Sequence, residues 1–312
     1  MKELKPSYTL KELIDTDNNG IEIPAVQRGL VWSPNQAEFL WDSILRGFPI
    51  GGFVVAKSDN DRFYLMDGQQ RLDAIQKAYK SSSENSDTIF WIDLFAEKTS
   101  GTRKFCIMVI TKAHPWGFNS EEESSRLTAG ERREAISCFW NGEDKDIYRV
   151  NFALRDCFPF KAKFPVQLSY LLNADISNEE SFKESVVACI EKNTDAWKSR
   201  YLTAENRQKF DTVITSFYDT FKKLSDYRIP ISKLDLLDES SPNTNLMHEE
   251  TELETLFTRL NTGGTRISQD DLFYSAIKAY WGSVKDKIEA IAGVKVPPAK
   301  LPPAKLSQLL FR

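Results

Sequence analysis

The fold follows from one stretch of the chain, Met66-Asp67-Gly68-Gln69-Gln70-Arg71, where a strand gives way to a helix. The preceding residues 62–66 are rich in aromatic and apolar side chains, which favours a strand. Beyond the junction, Leu72, Ile75 and Tyr79 recur on one helical face. The stretch therefore predicts a strand that ends at Met66 and a helix that starts near Gln69.

This junction has the chemistry of an anion site. Gly68 permits close backbone approach, and the first N–H groups of the helix, those of Gln69, Gln70 and Arg71, point outward with the positive end of the dipole. The planar guanidinium of Arg71 suits phosphate, and the carboxylate of Asp67 suits magnesium. An ordinary turn in which Asp67 caps the helix explains the same residues about equally well.

Neighbouring segments extend this unit on both sides. Ser33, Pro34 and Gln36 predict a capped helix start, and Gly47 with Pro49 predicts its end. Further strand candidates lie at residues 52–56, 89–95 and 105–110, and the turn-like residues 58–61 predict a hairpin between 52–56 and 62–66.

The fold class predicted from these patterns is α+β, with a mixed α/β region followed by a mainly helical one. We expect three parts: a mixed α/β domain at 1–115 that holds the candidate anion site, a helical insertion or subdomain at 116–245, and a helical segment at 246–312 that completes the site. The helical candidates of the second and third parts are residues 127–140, 179–191, 204–224, 249–260 and 269–281.

Bulk properties narrow the class of protein. A net charge of −4 disfavours a generally basic nucleic-acid coat, so DNA contacts would come from a local patch and depend steeply on salt. The sequence has no apolar run of membrane-spanning length and begins without a signal-peptide core, which predicts a cytoplasmic protein without membrane association. Four scattered cysteines and two histidines disfavour zinc.

Two more segments carry candidate binding residues. Ile23-Pro24-Ala25-Val26-Gln27-Arg28, followed by Trp32, also fits an edge strand with a surface arginine. Phe257 to Thr265 holds Arg259, Asn261 and the turn Thr262-Gly263-Gly264, ahead of a helix start at Ser268. A structural helix-turn-helix corner explains the second segment equally well.

Taken together, the segments around Gln27-Arg28, Phe48-Pro49-Ile50-Gly51, Asp67-Gly68-Gln69-Gln70-Arg71 and Arg259-Leu260-Asn261-Thr262-Gly263-Gly264 resemble the N-terminal domain of GmrSD-type restriction proteins. That family is similar in fold to the ParB and sulfiredoxin superfamily. The resemblance spans about residues 7 to 281, and the Asp-Gly-Gln-Gln-Arg string is its most specific part.

The resemblance implies a ParB-like domain that binds and hydrolyses a nucleoside triphosphate with Mg²⁺, as a regulator or sensor in a DNA restriction system directed against phage. It implies catalytic roles for Asp67, Gln70 and Arg71, with Asp67 as the metal ligand. The implied nucleotide-binding residues are Gln27, Arg28, Gly68, Gln69, Gln70, Arg71, Arg259, Asn261, Thr262 and Gly263. Implied partners are DNA, including modified phage DNA, a nuclease domain or partner subunit, and a second copy in a homo-oligomer.

Single-chain relatives add an HNH nuclease domain, which needs histidines, whereas His114 and His248 stand in separate segments. Nuclease activity is therefore expected only with an additional domain or partner. The apolar end Leu309-Leu310-Phe311-Arg312 resembles the opening of another element, and we expect a longer protein. Two other readings stay open: a non-catalytic, nucleotide-gated DNA-binding or adaptor module, and a nuclease within this fold.

Overall fold

A computed structural model describes residues 4–15, 19–22, 32–57, 62–80, 86–97, 103–118, 127–139 and 153–234. Its strands are β1 (Ser7–Thr9), β2 (Ile21–Glu22), β3 (Phe53–Lys57), β4 (Phe63–Asp67), β5 (Thr88–Asp93), β6 (Ile107–Thr111), β7 (Pro165–Gln167) and β8 (Arg228–Leu234). Its helices are α1 (Leu10–Ile14), α2 (Pro34–Leu45), α3 (Gln69–Lys80), α4 (Ala129–Phe139), α5 (Leu168–Leu172), α6 (Glu179–Ile190), α7 (Asp195–Tyr201) and α8 (Ala204–Leu224). A 3-10 turn spans Leu154–Asp156. The mixture confirms the α+β class.

The described strands form two sheets. The larger has the order β1-β8-β3-β4-β2, and the smaller has the order β6-β5-β7. Within the larger sheet, β3 and β4 are antiparallel, as the expected hairpin requires, while β2 runs parallel to β4. Helix α3 leaves β4 directly and packs against β5 and α5, so it connects the two sheets.

The helix before β3 begins as its sequence predicts. The Ser33 hydroxyl accepts from the backbone N–H of Gln36, and the Gln36 side chain accepts from the backbone N–H of Ser33, with Pro34 at the first helical position. These reciprocal bonds satisfy two donors at the helix start. At the other end Gly47 adopts φ +74°, a left-handed conformation that suits glycine.

Two strands lie in the region that was expected to be mainly helical. β7 pairs with β5 in the smaller sheet, and β8 lies between β1 and β3 in the larger one. The sequence does not indicate β8 as a strand, because β8 lacks a clear apolar alternation and contains Pro230. Both strands join the 116–245 range to the N-terminal sheets, while the division into three domains remains a prediction.

The largest fully buried side chains of the described core are aromatic. Trp41 of α2 is fully buried, and its indole N–H donates to the carbonyl of Ala74 in α3 at 3.2 Å. Phe164 stacks on Phe95 with centroids 4.5 Å apart and meets Trp197 edge-on. Such pairs hold α2, α3 and the later helices around the sheets. Over the described residues, no helix combines the length and apolarity that a bilayer crossing requires.

Candidate anion site at the β4–α3 junction

A β-bulge re-aims the end of β4. Val55 pairs with Leu65, but Val54 pairs with Asp67, so Met66 is an extra residue in β4. Leu65 and Met66 are therefore buried in succession, although neighbouring strand residues normally alternate. The bulge lets the last residue of the strand, Asp67, turn outward, and its side chain is 51% exposed.

Gly68 is required by packing rather than by ligand approach alone. Its φ is +103°, and a Cβ at this position would lie 2.4 Å from the Phe53 ring. Its carbonyl accepts the first helical bond, from the N–H of Leu72 at 2.8 Å. The glycine thus allows α3 to start directly over β3, where a side chain would collide.

Arg71 is held on three sides by the protein. One guanidinium nitrogen donates to the Asp67 carboxylate at 2.7 Å, and another donates to the Ile50 carbonyl at 2.7 Å. The guanidinium also lies 5.4 Å from the centre of the Phe53 ring, and a Cβ on Gly51 would sit 2.6 Å from it. Since a guanidinium has five N–H donors, these bonds fix its position and leave further donors for an anion.

The two glutamines fold back onto the protein. The amide nitrogen of Gln69 donates to the Leu65 carbonyl at 2.7 Å. The amide oxygen of Gln70 accepts from the backbone N–H of Trp32 at 3.1 Å. Both side chains therefore fix the junction in place.

The described junction thus combines a helix N-terminus, a half-exposed carboxylate and a fixed guanidinium. The first turn of α3 contains no acidic residue, and Lys77 and Lys80 lie in its last turn. A single carboxylate does not make a dedicated metal cage, but magnesium commonly binds one or two carboxylates together with phosphate oxygens. Asp67 therefore fits Mg²⁺ that arrives with a phosphate ligand.

The loop between α2 and β3 completes the junction, and its role was missed in the sequence. Ile50 supplies the carbonyl that holds Arg71. Tyr227, just before β8, donates its hydroxyl to the Phe48 carbonyl at 2.7 Å, and burial raises the pKa of Tyr227. The glycine at position 51, with φ +84°, was the available signal for a tight approach there.

Several predicted binding residues lie outside the described ranges: Gln27, Arg28, Arg259, Asn261, Thr262 and Gly263. On either side of Gln27 and Arg28, the nearest described residues are Glu22 and Trp32, and both contact the junction. Glu22 pairs with Tyr64 of β4, and Trp32 donates to Gln70 of α3. The predicted grouping of Asp67, Gly68, Gln69, Gln70 and Arg71 is present as one continuous strand–helix corner.

His114 has a structural setting. It lies in a turn in which its backbone N–H donates to the Thr111 carbonyl, and its ring packs on Phe118 with centroids 4.5 Å apart. His248 lies outside the described residues. In the described part of the chain, no three His, Cys, Asp or Glu side chains cluster as a metal site would require.

The chain is also similar in sequence to a known protein family. The sequence profile described as GmrSD restriction endonuclease, N-terminal domain, matches residues 10–278. This match includes α1, the β4–α3 junction and β8, and it extends over Arg259 and Asn261. No curated protein sequence matches the chain.

Proposed function

We infer that this chain, which belongs to the family of GmrSD restriction endonuclease N-terminal domains, binds a nucleoside triphosphate at the β4–α3 junction. Membership of this family makes the chain part of a restriction-type defence protein that acts on DNA. We propose further that the chain hydrolyses the nucleoside triphosphate with Mg²⁺ and thereby regulates restriction. The observation that carries the proposal is the half-exposed Asp67 beside the N-terminus of α3.

Each residue has a part that follows from its contacts. The N–H groups at the start of α3 would hold phosphate oxygens, since such groups lie beyond the helical bonding pattern. Asp67 would hold the magnesium ion. Arg71, already fixed by Ile50, would direct its remaining donors to phosphate. Gln69 and Gln70 position the corner through Leu65 and Trp32.

Bound Mg²⁺ would supply charge neutralisation on the phosphates and orient a water. Gln27, Arg28, Arg259, Asn261, Thr262 and Gly263 are proposed as further nucleotide contacts, since they carry the other motifs of the resemblance. DNA, a nuclease domain or partner subunit, and a second copy of the chain are the proposed partners.

A non-catalytic alternative is favoured by one observation. The junction contributes a single carboxylate, and that carboxylate is paired with Arg71 at 2.7 Å. This pairing suits the holding of an anion more than the activation of water. In that case the chain would be a nucleotide-gated DNA-binding or adaptor module.

Phosphate release from ATP, GTP, CTP and UTP, with and without Mg²⁺, tests hydrolysis, and calorimetry on the same samples tests binding. Asp67→Asn should abolish magnesium-dependent release. Asp73→Asn is the matched control, because Asp73 also forms a carboxylate pair on α3, with Lys77 at 2.9 Å, but farther along the helix. Binding without release would favour the adaptor, and neither binding nor release by the wild-type chain would refute the proposal.

A further inference from the structure

The loop between α2 and β3 presents an aromatic ring beside the proposed phosphate site. Among the described residues, Phe48 is the large apolar side chain that is exposed, at 45%. An exposed aromatic ring can gain hydrophobic stabilisation by packing against a ligand.

The backbone under this ring is fixed. The N–H of Phe48 donates to the Ser43 carbonyl at 2.9 Å, and its own carbonyl accepts from the Tyr227 hydroxyl at 2.7 Å. Two residues farther on, Ile50 is tied to Arg71. The exposed ring therefore stands on a loop that is held at both sides, and it is not a flexible surface side chain.

One face of the ring is already covered. The Arg46 guanidinium lies 4.2 Å from the ring centre and is itself held by Asp42 at 3.3 Å. The exposure of Phe48 must therefore belong to its other face and its edge.

Phe48 is connected to the proposed phosphate site through Ile50. Two residues of chain span at most about 7 Å, which limits the separation of Phe48 from Ile50. The Ile50 carbonyl is 2.7 Å from the Arg71 guanidinium. The backbone of Phe48 is therefore close to the proposed phosphate site.

From these contacts we propose that Phe48 is the stacking platform for the base of the nucleotide whose phosphates bind at the β4–α3 junction. This inference rests on the proposed nucleotide-binding function and adds to it the residue that binds the base. Every nucleobase has a π face, so stacking on Phe48 favours larger purine rings without reading a hydrogen-bond pattern.

Calorimetry of the full chain with ATP, GTP, CTP and inorganic tripolyphosphate tests the platform. Loss of a base stack costs roughly tenfold or more in affinity. Phe48→Ala should therefore weaken purine nucleotides about tenfold and leave tripolyphosphate unchanged, while Phe48→Tyr should bind purine nucleotides as the wild type does. Phe39→Ala is the matched control, since Phe39 carries the Arg103 guanidinium at 4.1 Å elsewhere on α2.

The outcomes separate the two proposals. If the wild-type chain and Phe48→Ala bind nucleotide equally well, the proposal that Phe48 stacks on the base is wrong. The proposal of a phosphate site at the β4–α3 junction would be unaffected. Equal losses for nucleotide and tripolyphosphate in Phe48→Ala would also overturn the stacking proposal, because the loop would then act on the phosphates. If the wild type binds neither ligand, the phosphate site fails, and the platform fails with it.

Discussion

Two aspartate–arginine pairs flank the loop from α2 to β3, and they are built in opposite ways. In the pair at the end of α2, the Asp42 side chain is 6% exposed and that of Arg46 is 28% exposed. In the pair at the start of α3, Asp67 is 51% exposed and Arg71 is 15% exposed. Both have i,i+4 spacing, so burial and not sequence separation sets their roles.

Both carboxylate oxygens of Asp42 accept structural hydrogen bonds. Its Oδ1 accepts from the backbone N–H groups of Lys104 and Phe105 at 2.9 and 2.8 Å, and its Oδ2 accepts from Arg46. Asp93 has the same kind of setting and accepts from the N–H groups of Lys163 and Phe164. A carboxylate whose oxygens are taken by main-chain donors is structural, whereas the Asp67 side chain is half exposed and is paired with Arg71.

The largest expected effect is at the buried member of the first pair. Asp42→Ala removes the acceptor of two backbone donors and leaves Arg46 without its carboxylate. We expect the free energy of unfolding to fall by about 3–5 kcal/mol, as for other broken buried pairs. Urea unfolding monitored by circular dichroism measures this.

Asp42→Asn should be milder, because its amide oxygen still accepts from Lys104 and Phe105. A loss below about 1 kcal/mol for Asp42→Ala, within the range of exposed pairs, would contradict the structural role given to this carboxylate.

The next effect concerns the corner itself. Gly68→Ala combines a positive φ with a Cβ 2.4 Å from Phe53, and we expect a loss of about 2–4 kcal/mol from strain and overpacking. Gly47→Ala has a similar φ, +74°, but open space, so it should cost roughly 1 kcal/mol of strain alone. Thermal unfolding of the two variants compares them, and equal losses would show that contact with Phe53 does not matter.

The sequence was informative where structure is local. The capping box at Ser33 and the glycine at position 68 determine a helix start within a few residues, and both starts were predicted. β8 and the Arg71–Ile50 bond depend on residues distant in the chain. No local sequence pattern predicts either of them. β8 is mostly exposed and so lacks an apolar pattern, and the backbone carbonyl of Ile50 has no signature in the sequence.

For the predicted site residues, the sequence carries no information about the orientation of the side chains. Gln69 and Arg71 were predicted as ligand contacts, and the structure shows that their side chains also bind Leu65, Asp67 and Ile50. A side chain that binds an anion must first be held in place, and only the fold reveals what holds it.

The third effect tests this double role. Arg71→Ala should weaken triphosphate binding by roughly ten- to a hundred-fold, through loss of a charge-assisted contact worth about 1.5–3 kcal/mol. Because the side chain also holds Ile50, Arg71→Lys should restore charge without the planar fork and recover only part of the affinity. Calorimetry provides both values, and an affinity equal to wild type in Arg71→Ala would remove Arg71 from the phosphate site.

The smallest effect on stability is expected at the exposed member of the second pair. Asp67→Asn should change the free energy of unfolding by about 1 kcal/mol or less, since a pair with a half-exposed carboxylate contributes little. The Arg71 guanidinium would keep the Ile50 carbonyl and the Phe53 ring as neighbours. The amide would nevertheless lose the charge that attracts magnesium, so the Mg²⁺ dependence of nucleotide affinity should disappear. Urea unfolding and magnesium titrations of the same preparation separate the two effects: a stability loss as large as that of Asp42→Ala, with magnesium dependence retained, would make both aspartates structural and remove the contrast.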